Sequence, residues 1–314
     1  MKKLVSVVVP MYYEEEVAEK CYEELTKVMQ TVPYEYDLLF INDGSLDRTR
    51  EILKGIAEKD KRAKVINFAR NFGHQAAVTA GIKEALGDAI VIIDADLQDP
   101  PALIADMLKV WEDGGEVVYA VRKKRKGETW FKLLTAKIFY RFLNRMTDVD
   151  IPKDTGDFRL IDRKVADVFN QMPEKNRFIR GMVSWVGFNQ VPIEYERQER
   201  FAGETKYPFK KMIKFAADAI FSFSSKPLKT IQFLGFLSMG ISVAMFLYAI
   251  IVRIFGLDFI VPGWASLMVV TTFIGGVQLL SLGIIGEYIA RIYEESKDRP
   301  LYIVQERLNM DDEQ

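Results

Sequence analysis

Histidine and cysteine are nearly absent from this chain of 314 residues, which holds one of each. Cys21 alone excludes a disulfide framework and a cysteine-based zinc site, and it fits a reducing, cytosolic environment. His74 alone excludes a histidine metal cluster. The 43 basic and 44 acidic residues nearly cancel, so the net charge gives no indication of a nucleic-acid partner. Any catalysis therefore depends on carboxylates and on a metal ion that carboxylates bind.

Charged residues are scarce in one region, 231–285. Within it, the segments 231–252 and 264–285 are uncharged and about 22 residues long, enough to cross a bilayer core of about 30 Å as helices. Basic residues precede the first segment and follow the second, whereas Arg253 is the only basic residue of the linker 253–263. The positive-inside rule then predicts a cytoplasmic-membrane protein with two spans, whose large N-terminal domain and both termini are cytosolic.

Strand and helix patterns alternate through the first 122 residues. Short apolar runs predict strands at 4–9, 36–41, 63–68, 89–93 and 116–121, with helices at 15–31, 47–59, 74–86 and 100–113 between them. Pro10 is expected to stop the first strand, and the run before it is too short for a signal peptide. Continuous apolar strands joined by helices predict an α/β fold with a mainly parallel sheet covered on both faces.

A polar cluster follows each of the five predicted strands. The clusters are 12–16, Asp43, Arg70-Asn71, 94–99 and 122–125. In open sheets of this kind, ligands bind beyond the carboxyl ends of the strands. We therefore expect the five clusters to meet at one edge of the sheet and to form a single site.

Asp94 and Asp96 end the fourth predicted strand, and Gln98 and Asp99 follow them. Two carboxylates two residues apart at a strand end can point into the same cleft. Hard cations bind through one or two carboxylates together with the oxygens of a substrate diphosphate. The pair predicts a site for Mg²⁺ or Mn²⁺, although a bare pair of this spacing also occurs in helix caps and solvated turns.

Several motifs stand in the order found in one known family. They are Pro10-Met11-Tyr12-Tyr13-Glu14-Glu15, Asn42-Asp43-Gly44-Ser45, Arg70-Asn71-Phe72-Gly73, Asp94-Ala95-Asp96-Leu97-Gln98-Asp99-Pro100-Pro101 and Thr155-Gly156-Asp157-Phe158-Arg159-Leu160. The chain resembles family 2 glycosyltransferases of the GT-A fold over nearly its whole length. More narrowly, it resembles the branch that transfers sugar from a nucleotide donor to polyprenyl phosphate, which includes dolichol-phosphate mannose synthase and bacterial bactoprenol-phosphate glucosyltransferases.

The resemblance implies roles for individual residues. It implies donor-binding roles for Pro10, Tyr12, Glu14, Asp43, Asp94 and Gln98, metal binding by Asp94 and Asp96, and a catalytic role for Asp157. Asp157 matches the position proposed as a base, yet a phosphate acceptor is already largely ionised near pH 7, so Asp157 is alternatively an orienting group. Tyr13 departs from the family, which usually has Asn there, and it puts donor affinity in doubt.

The acceptor implied by the resemblance is a phosphate on a lipid, which requires cations where the cleft meets the membrane. The candidates are Arg122, Arg125, Arg159, Arg200 and Lys206. Arg159 is alternatively a positioning residue that pairs with Asp157. Amphipathic, basic segments at 130–145 and 208–224 are candidates to lie in the membrane surface, or else to pack on the domain.

The expected organisation is a catalytic domain over 1–207, an interfacial helix over 208–229, a transmembrane hairpin over 230–288 and a cytosolic tail over 289–314. The expected reaction is inverting transfer of glucose or N-acetylglucosamine from a UDP-sugar to undecaprenyl phosphate, and the product would be flipped outward by a partner for cell-wall or surface glycans. By resemblance we expect a homo-oligomer of four copies, with the apolar tail segment 300–306 adding a strand to a neighbour's sheet. 

Two alternatives stay open at the level of sequence. A processive polysaccharide synthase would share the front half of the chain, but none of the four tryptophans follows an arginine, so its Gln-x-x-Arg-Trp motif is absent. A non-catalytic scaffold would present a nucleotide-binding domain at the membrane, and the intact carboxylates Asp94, Asp96 and Asp157 argue against it.

Overall fold

The computed structural model describes residues 2–122, 155–196, 224–254 and 263–310. Its strands are β1 (Leu4–Met11), β2 (Glu35–Asn42), β3 (Ala63–Phe68), β4 (Ala89–Ile92), β5 (Val117–Arg122), β6 (Thr155–Asp162), β7 (Gln190–Tyr195) and β8 (Val304–Leu308). Its helices are α1 (Ala18–Met29), α2 (Thr49–Lys59), α3 (His74–Glu84), α4 (Leu103–Glu112), α5 (Arg163–Gln171), α6 (Ile179–Val186), α7 (Lys226–Ile254) and α8 (Trp264–Ser296).

The strands form one sheet in the order β7-β5-β6-β4-β1-β2-β3-β8. Parallel pairs join β1 to β2 and β4, β2 to β3, and β5 to β7, whereas β6 and β8 run antiparallel to their neighbours. The predicted α/β class with a mainly parallel sheet is therefore confirmed. β6 runs antiparallel to β4 and β5. The first residues of β6 therefore lie at the edge of the sheet where β4 and β5 end.

The first strand continues past the proline that was expected to stop it, so this boundary was wrong by two residues. Pro10 is aligned with Ile41 of β2, while the pairing of β1 with β4 ends at Val8 and Ile92. A proline lacks a backbone N–H and is tolerated in a strand where no partner requires one. Pro10 lies beyond the end of β4 and is buried in the strand.

Two apolar layers cover the sheet and form the core of the domain. One face packs against α1, α2 and α4 through residues such as Leu25, Leu53 and Met107, and the other packs against α3, α5 and α6 through residues such as Phe169. Cys21 is buried in the first layer, and burial raises the pKa of its thiol, so this cysteine behaves as a small apolar core residue. Both faces are covered, as the continuous apolar strands predicted.

Two long apolar helices follow the domain. The segments Lys226–Ala244 and Val269–Ser296 are long and apolar enough to cross a membrane, and few of their side chains are buried by the rest of the described chain. Glu287 and Arg291 of α8 form an ion pair, with 3.1 Å between Oε1 and Nη2. Helix α7 begins at Lys226, so the last residues assigned to an interfacial helix belong to this first long helix.

The tail after α8 returns to the domain that precedes the helices. Strand β8 pairs antiparallel with β3 of its own chain, with Leu308 opposite Val65. The expectation that this segment would extend a neighbour's sheet is therefore wrong for this structure. The physical reason is proximity, because Glu295 near the end of α8 accepts a hydrogen bond from the main-chain N–H of Lys175 at 2.7 Å, and only a short connection then leads to the free edge of β3.

Some predicted features lie outside the described residues. They are Arg125, Arg200, Lys206, the segment 130–145 and nearly all of the segment 208–224. Their roles stay predictions from the sequence.

Candidate active site

Hydrogen bonds join the loop that follows β1 to the loop that follows β2. The donors are main-chain N–H groups of the first loop, and the acceptors are side-chain hydroxyls of the second loop and of the start of α2. The N–H of Tyr13 donates to Oγ of Ser45 at 3.1 Å, and the N–H of Glu14 donates to Oγ1 of Thr49 at 3.0 Å. These bonds fix the loop that carries Tyr12 and Glu14 against the beginning of α2. Two of the five polar clusters are thus in contact.

Tyr13 has a left-handed backbone conformation, with φ at +57°. Among residues other than glycine, asparagine adopts this conformation most readily, which gives a physical reason for the asparagine usual in the family. The tyrosine is accommodated by directing its ring outward against Tyr12, with the ring centroids 4.5 Å apart and nearly perpendicular. The two partly exposed rings form an aromatic wall beside the loop that was assigned to the donor.

Asp43 joins the loops that follow β2 and β3. Its carboxylate accepts hydrogen bonds from the N–H groups of Phe72 and Gly73, at 2.7 and 2.9 Å, and from Nδ2 of Asn71 at 2.9 Å. Burial raises the pKa of Asp43, and these donors oppose the rise. The side chain that was predicted to bind the nucleoside therefore also holds the 71–73 loop in place.

Gly44 permits the close approach of these two loops. Its φ is +67°, and a Cβ at this position would lie no more than 2.7 Å from three main-chain atoms of Arg70 and Asn71. Gly114 has φ of +96° but open space around it. It offers a control for backbone strain without the steric clash.

We expect Gly44→Ala to destabilise the protein by about 3 kcal/mol and Gly114→Ala by only about 1 kcal/mol, because the first substitution combines strain with main-chain overlap. Thermal unfolding of both variants in the same detergent measures the difference. Equal shifts in the midpoint would contradict the close contact between Gly44 and Arg70.

Asp94, Asp96 and Gln98 form the loop after β4, where the metal was predicted. Burial raises the pKa of Asp94 to about 6, and the negative charges of Asp157, Asp99 and Asp96 add to the effect. Gln98 is 9% exposed, and its Oε1 has no hydrogen-bond partner in the described chain. An orphaned oxygen beside crowded carboxylates suits a cation with oxygen ligands, such as Mg²⁺ or Mn²⁺.

No group of three or more His, Cys, Asp or Glu residues that could hold a metal occurs in the described part of the chain. A site with one or two carboxylates, completed by water and by phosphate oxygens, is the usual arrangement for Mg²⁺ in enzymes that act on phosphates. The residues present therefore fit a metal that arrives with a diphosphate substrate, with Asp94 and Asp96 as its protein ligands.

His74 lies between two carboxylates at this edge. Its Nε2 is 3.1 Å from Oδ2 of Asp157 and 3.9 Å from Oδ1 of Asp94. Burial alone would lower the pKa of His74, but the hydrogen bond to Asp157 and the two negative charges raise it to about 9. This pKa favours the protonated imidazolium at neutral pH, so His74 brings a positive charge between the two carboxylates.

Arg180, on α6, binds Asp157 in the two-pronged geometry that a guanidinium favours. Its Nε lies 2.7 Å from Oδ1 and its Nη2 3.2 Å from Oδ2 of Asp157. Burial raises the pKa of Asp157, but the charge of Arg180 and the bond from His74 outweigh it and hold that pKa well below its ordinary range. Asp157 is therefore a fixed carboxylate at neutral pH.

Arg159 lies beneath Asp157 on β6. It is buried, and its guanidinium donates to the main-chain carbonyls of Gly156 and Asp157 at 3.2 and 3.3 Å. Burial lowers its pKa to about 10. These contacts favour the positional role for Arg159 over direct binding of the acceptor phosphate.

Arg122 ends β5 and completes the edge. Its Nε donates to the hydroxyl of Tyr195 at 3.1 Å, its Nη2 lies 4.0 Å from Oδ1 of Asp99, and that hydroxyl also donates to Asp99. Burial lowers the pKa of Arg122, but Tyr195 and Asp99 outweigh this and raise it, while the charge of Arg180 opposes them. Two arginines thus lie near each other on the side of the carboxylates away from Asp43.

The structure brings the strand-end clusters together, and it adds residues that the sequence did not single out. The additions are Arg180 and Tyr195, and His74 lies between Asp157 and Asp94. His74 could have been found, since it directly follows a strand-end cluster. Arg180 carried no such signal, because it lies inside a helix.

Comparison with known proteins shows that the chain is a glycosyltransferase. The model of the family described as "Glycosyl transferase family 2" matches residues 6–169, and the chain belongs to this family. It is 57% identical to the uncharacterized glycosyltransferase YkcC of Bacillus subtilis, over 96% of this chain and 93% of that protein. It is 47% identical to the uncharacterized glycosyltransferase sll0501 of Synechocystis, over 95% of this chain and 94% of that protein.

A further relative has a name that includes a substrate. The chain is 40% identical to the bactoprenol glucosyl transferase of Shigella phage SfV, over 96% of this chain and 97% of that protein. The alignment therefore includes the region of the two long apolar helices as well as the glycosyltransferase domain.

Proposed function

We propose that this glycosyltransferase moves one sugar from a UDP-sugar to a polyprenyl phosphate such as undecaprenyl phosphate, at the cytosolic face of the membrane. The observation that carries the proposal is a group of carboxylates beside two arginines at one edge of the sheet. The same chain has two long apolar helices, and the second of them contacts this domain. The name of the Shigella phage relative, bactoprenol glucosyl transferase, supports the acceptor class and makes glucose a candidate sugar, with N-acetylglucosamine as the other.

The donor side of the site lies between the Tyr12–Tyr13 rings and the Asp94 loop. Hydrogen bonds join Tyr13 to Ser45 and Phe72 to Asp43. They hold the three loops together as a rigid base for a nucleoside. Asp94 and Asp96 would hold Mg²⁺ or Mn²⁺, which as a Lewis acid neutralises charge on the departing diphosphate. Gln98 contributes an oxygen that has no partner in the described chain.

The acceptor side lies toward Arg122 and Arg180. Guanidinium groups bind phosphate oxygens through paired hydrogen bonds, and both of these side chains are partly exposed. The acceptor oxygen attacks the anomeric carbon on the face opposite the diphosphate, so the configuration at that carbon inverts. Arg122 and Arg180 orient this phosphate and reduce its repulsion from the carboxylates.

Asp157 acts in this scheme as an orienting carboxylate. A phosphate near pH 7 is already largely ionised, so it needs no base to become nucleophilic. Both oxygens of Asp157 accept hydrogen bonds from Arg180 or His74, and the low pKa makes the carboxylate a weak base. It holds the two cations where the acceptor phosphate and the donor sugar meet.

The membrane supplies the acceptor. Helix α8 runs from the candidate span to Ser296, and Lys175 then binds Asp298 with 2.8 Å between Nζ and Oδ1. The domain is therefore held close to one end of the hairpin, where a lipid phosphate is accessible. The cytosolic placement of this end, a homo-oligomer and a flippase that moves the product outward stay predictions from the sequence.

The decisive experiment is a donor screen with purified full-length protein, undecaprenyl phosphate and either Mg²⁺ or Mn²⁺. We expect one UDP-sugar to give a polyprenyl monophosphate sugar carrying a single residue. Products that lengthen with time would support a processive synthase. If the protein shows a cooperative thermal unfolding transition but transfers no sugar from any UDP-sugar, the proposal is refuted and the non-catalytic scaffold is favoured.

A further inference from the structure

We infer that the tail strand β8 positions the donor loops of the active site, through a chain of hydrogen bonds that begins at Glu306. This inference rests on the proposed function, because it assigns Glu306 as a positioning residue for the nucleotide donor. The chain of bonds connects the segment after the two long helices with the loops that follow β2 and β1, two and three strands away from β8.

The strand register places the necessary side chains in one row across the sheet. Glu306 of β8 is aligned with Asn67 of β3, Asn67 with Asn42 of β2, and Asn42 with Met11 of β1. This row lies at the carboxyl ends of β1, β2 and β3, where the donor loops begin. Asn42 and Asn67 are each 1% exposed, so their amides must find partners inside the protein.

Two hydrogen bonds between side chains and two from main-chain N–H groups to side chains connect the row to the loops. Oε2 of Glu306 accepts from Nδ2 of Asn67 at 3.0 Å, and Oδ1 of Asn67 accepts from Nδ2 of Asn42 at 2.8 Å. Oδ1 of Asn42 then accepts from the N–H of Ser45 at 3.1 Å. Ser45 in turn accepts from the N–H of Tyr13, so the chain ends at the loop beside the donor.

The carboxylate of Glu306 at one end and the main-chain N–H of Ser45 at the other end agree on the direction of the bonds between the side chains. An ionised carboxylate can only accept, so Asn67 must turn its NH₂ toward Glu306 and its oxygen toward Asn42. Asn42 must then turn its NH₂ toward Asn67, which leaves its oxygen for the N–H of Ser45. Without an acceptor at position 306, Nδ2 of Asn67 loses its partner, and a flip of both asparagines would only move the mismatch to Asn42, whose NH₂ would then face the N–H of Ser45.

The tail supports the second donor loop through an aromatic cluster. The ring of Tyr302 is stacked on Phe68 with centroids 4.9 Å apart, and Phe68 meets Phe72 edge to face at 5.8 Å. Phe72 donates its N–H to Asp43. The same short tail is therefore connected to the Tyr13 loop by hydrogen bonds through Asn67, Asn42 and Ser45, and to the Phe72 loop by ring contacts through Phe68.

Three variants separate the chain of bonds from the charge and from the general stability of the tail. Glu306→Met removes the acceptor, and Glu306→Gln keeps an acceptor oxygen while it removes the charge. Arg50→Met is the matched control, because Arg50 pairs with Glu306 with 2.8 Å between Nη2 and Oε2 but makes no described contact with either asparagine.

The experiment measures the Kd of UDP in the presence of Mn²⁺ by calorimetry, and amide hydrogen exchange in peptides covering 12–16 and 42–45, at temperatures well below unfolding. Because an unsatisfied buried amide is costly, we expect Glu306→Met to weaken UDP binding about tenfold and to accelerate exchange in both peptides. Glu306→Gln and Arg50→Met should remain within about twofold of the wild type for binding.

Two outcomes overturn the inference. A Glu306→Met variant with a lower unfolding temperature but unchanged Kd and exchange would show that β8 is only a structural support. Equal defects in all three variants would assign the effect to the ion pair with Arg50. If the wild type binds no UDP, the proposed donor fails, and the exchange of the two peptides still decides whether Glu306 orders the loops.

Discussion

Asp96→Ala is expected to lower kcat for sugar transfer by about 10²- to 10³-fold, the effect typical of removing one electrostatic contact to a developing charge. Asp96 follows β4 and is partly exposed, so its loss removes charge from the cleft without opening the core. The unfolding temperature should therefore stay close to that of the wild type. A second readout, binding of Mn²⁺ followed by the loss of its free electron-spin signal, should weaken in parallel.

Two further variants make this result specific. Asp106→Ala removes an exposed carboxylate of α4 that pairs with Lys109, and it should leave both kcat and Mn²⁺ binding unchanged. Asp94→Asn should weaken Mn²⁺ binding and also remove one of the two negative charges beside His74. If Asp96→Ala retains full activity with undiminished Mn²⁺ binding, the metal site does not lie at this loop.

The sheet and the location of the site could be predicted from the sequence because both depend on local patterns. Apolar runs placed the first five strands to within about two residues, although β6 and β7 were not predicted, and the rule for strand ends then located the cleft. Asp94 and Asp43 both lie there in the structure. These features follow from periodicity and from the polarity of short segments, which a single sequence contains.

The contacts that define the chemistry depend on long separations along the chain. His74 and Asp157 are 83 residues apart, and their contact requires β6 to enter the sheet antiparallel between β4 and β5. No periodicity indicates that direction. Arg180 lies on α6, an amphipathic helix on which a polar residue is expected to face solvent. Its sequence context therefore does not distinguish it from a solvated arginine until α6 is placed beside β6.

The tail shows the same limit. Its apolar segment correctly indicated a strand, but a pattern of alternating residues does not say which edge the strand will join. The structure places it on β3 of its own chain because α8 ends close to Lys175. The row from Glu306 to Asn42 depends on that register, so it could not be inferred before β8 was located.

Arg180→Met is expected to lower kcat by about a hundredfold, and Asp157→Asn by a similar factor, because each removes one member of a group that positions the acceptor phosphate. The double variant should be little worse than either single one. Residues that act as a unit give non-additive losses, whereas independent contributions to the barrier would multiply. The measurement is a double-mutant cycle on kcat with the sugar donor at saturation.

The control for this cycle is a pair with the same geometry elsewhere in the molecule. Arg62 binds Asp60 with both its Nε and its Nη2 at 3.0 Å, as Arg180 binds Asp157, but it lies at the end of α2 away from the cleft. Arg62→Met should leave kcat unchanged, so a loss in Arg180→Met cannot come from breaking an ion pair as such. Multiplicative losses in the cycle would instead mean that Asp157 acts on the reaction independently of Arg180, and the role of an orienting carboxylate would then be wrong.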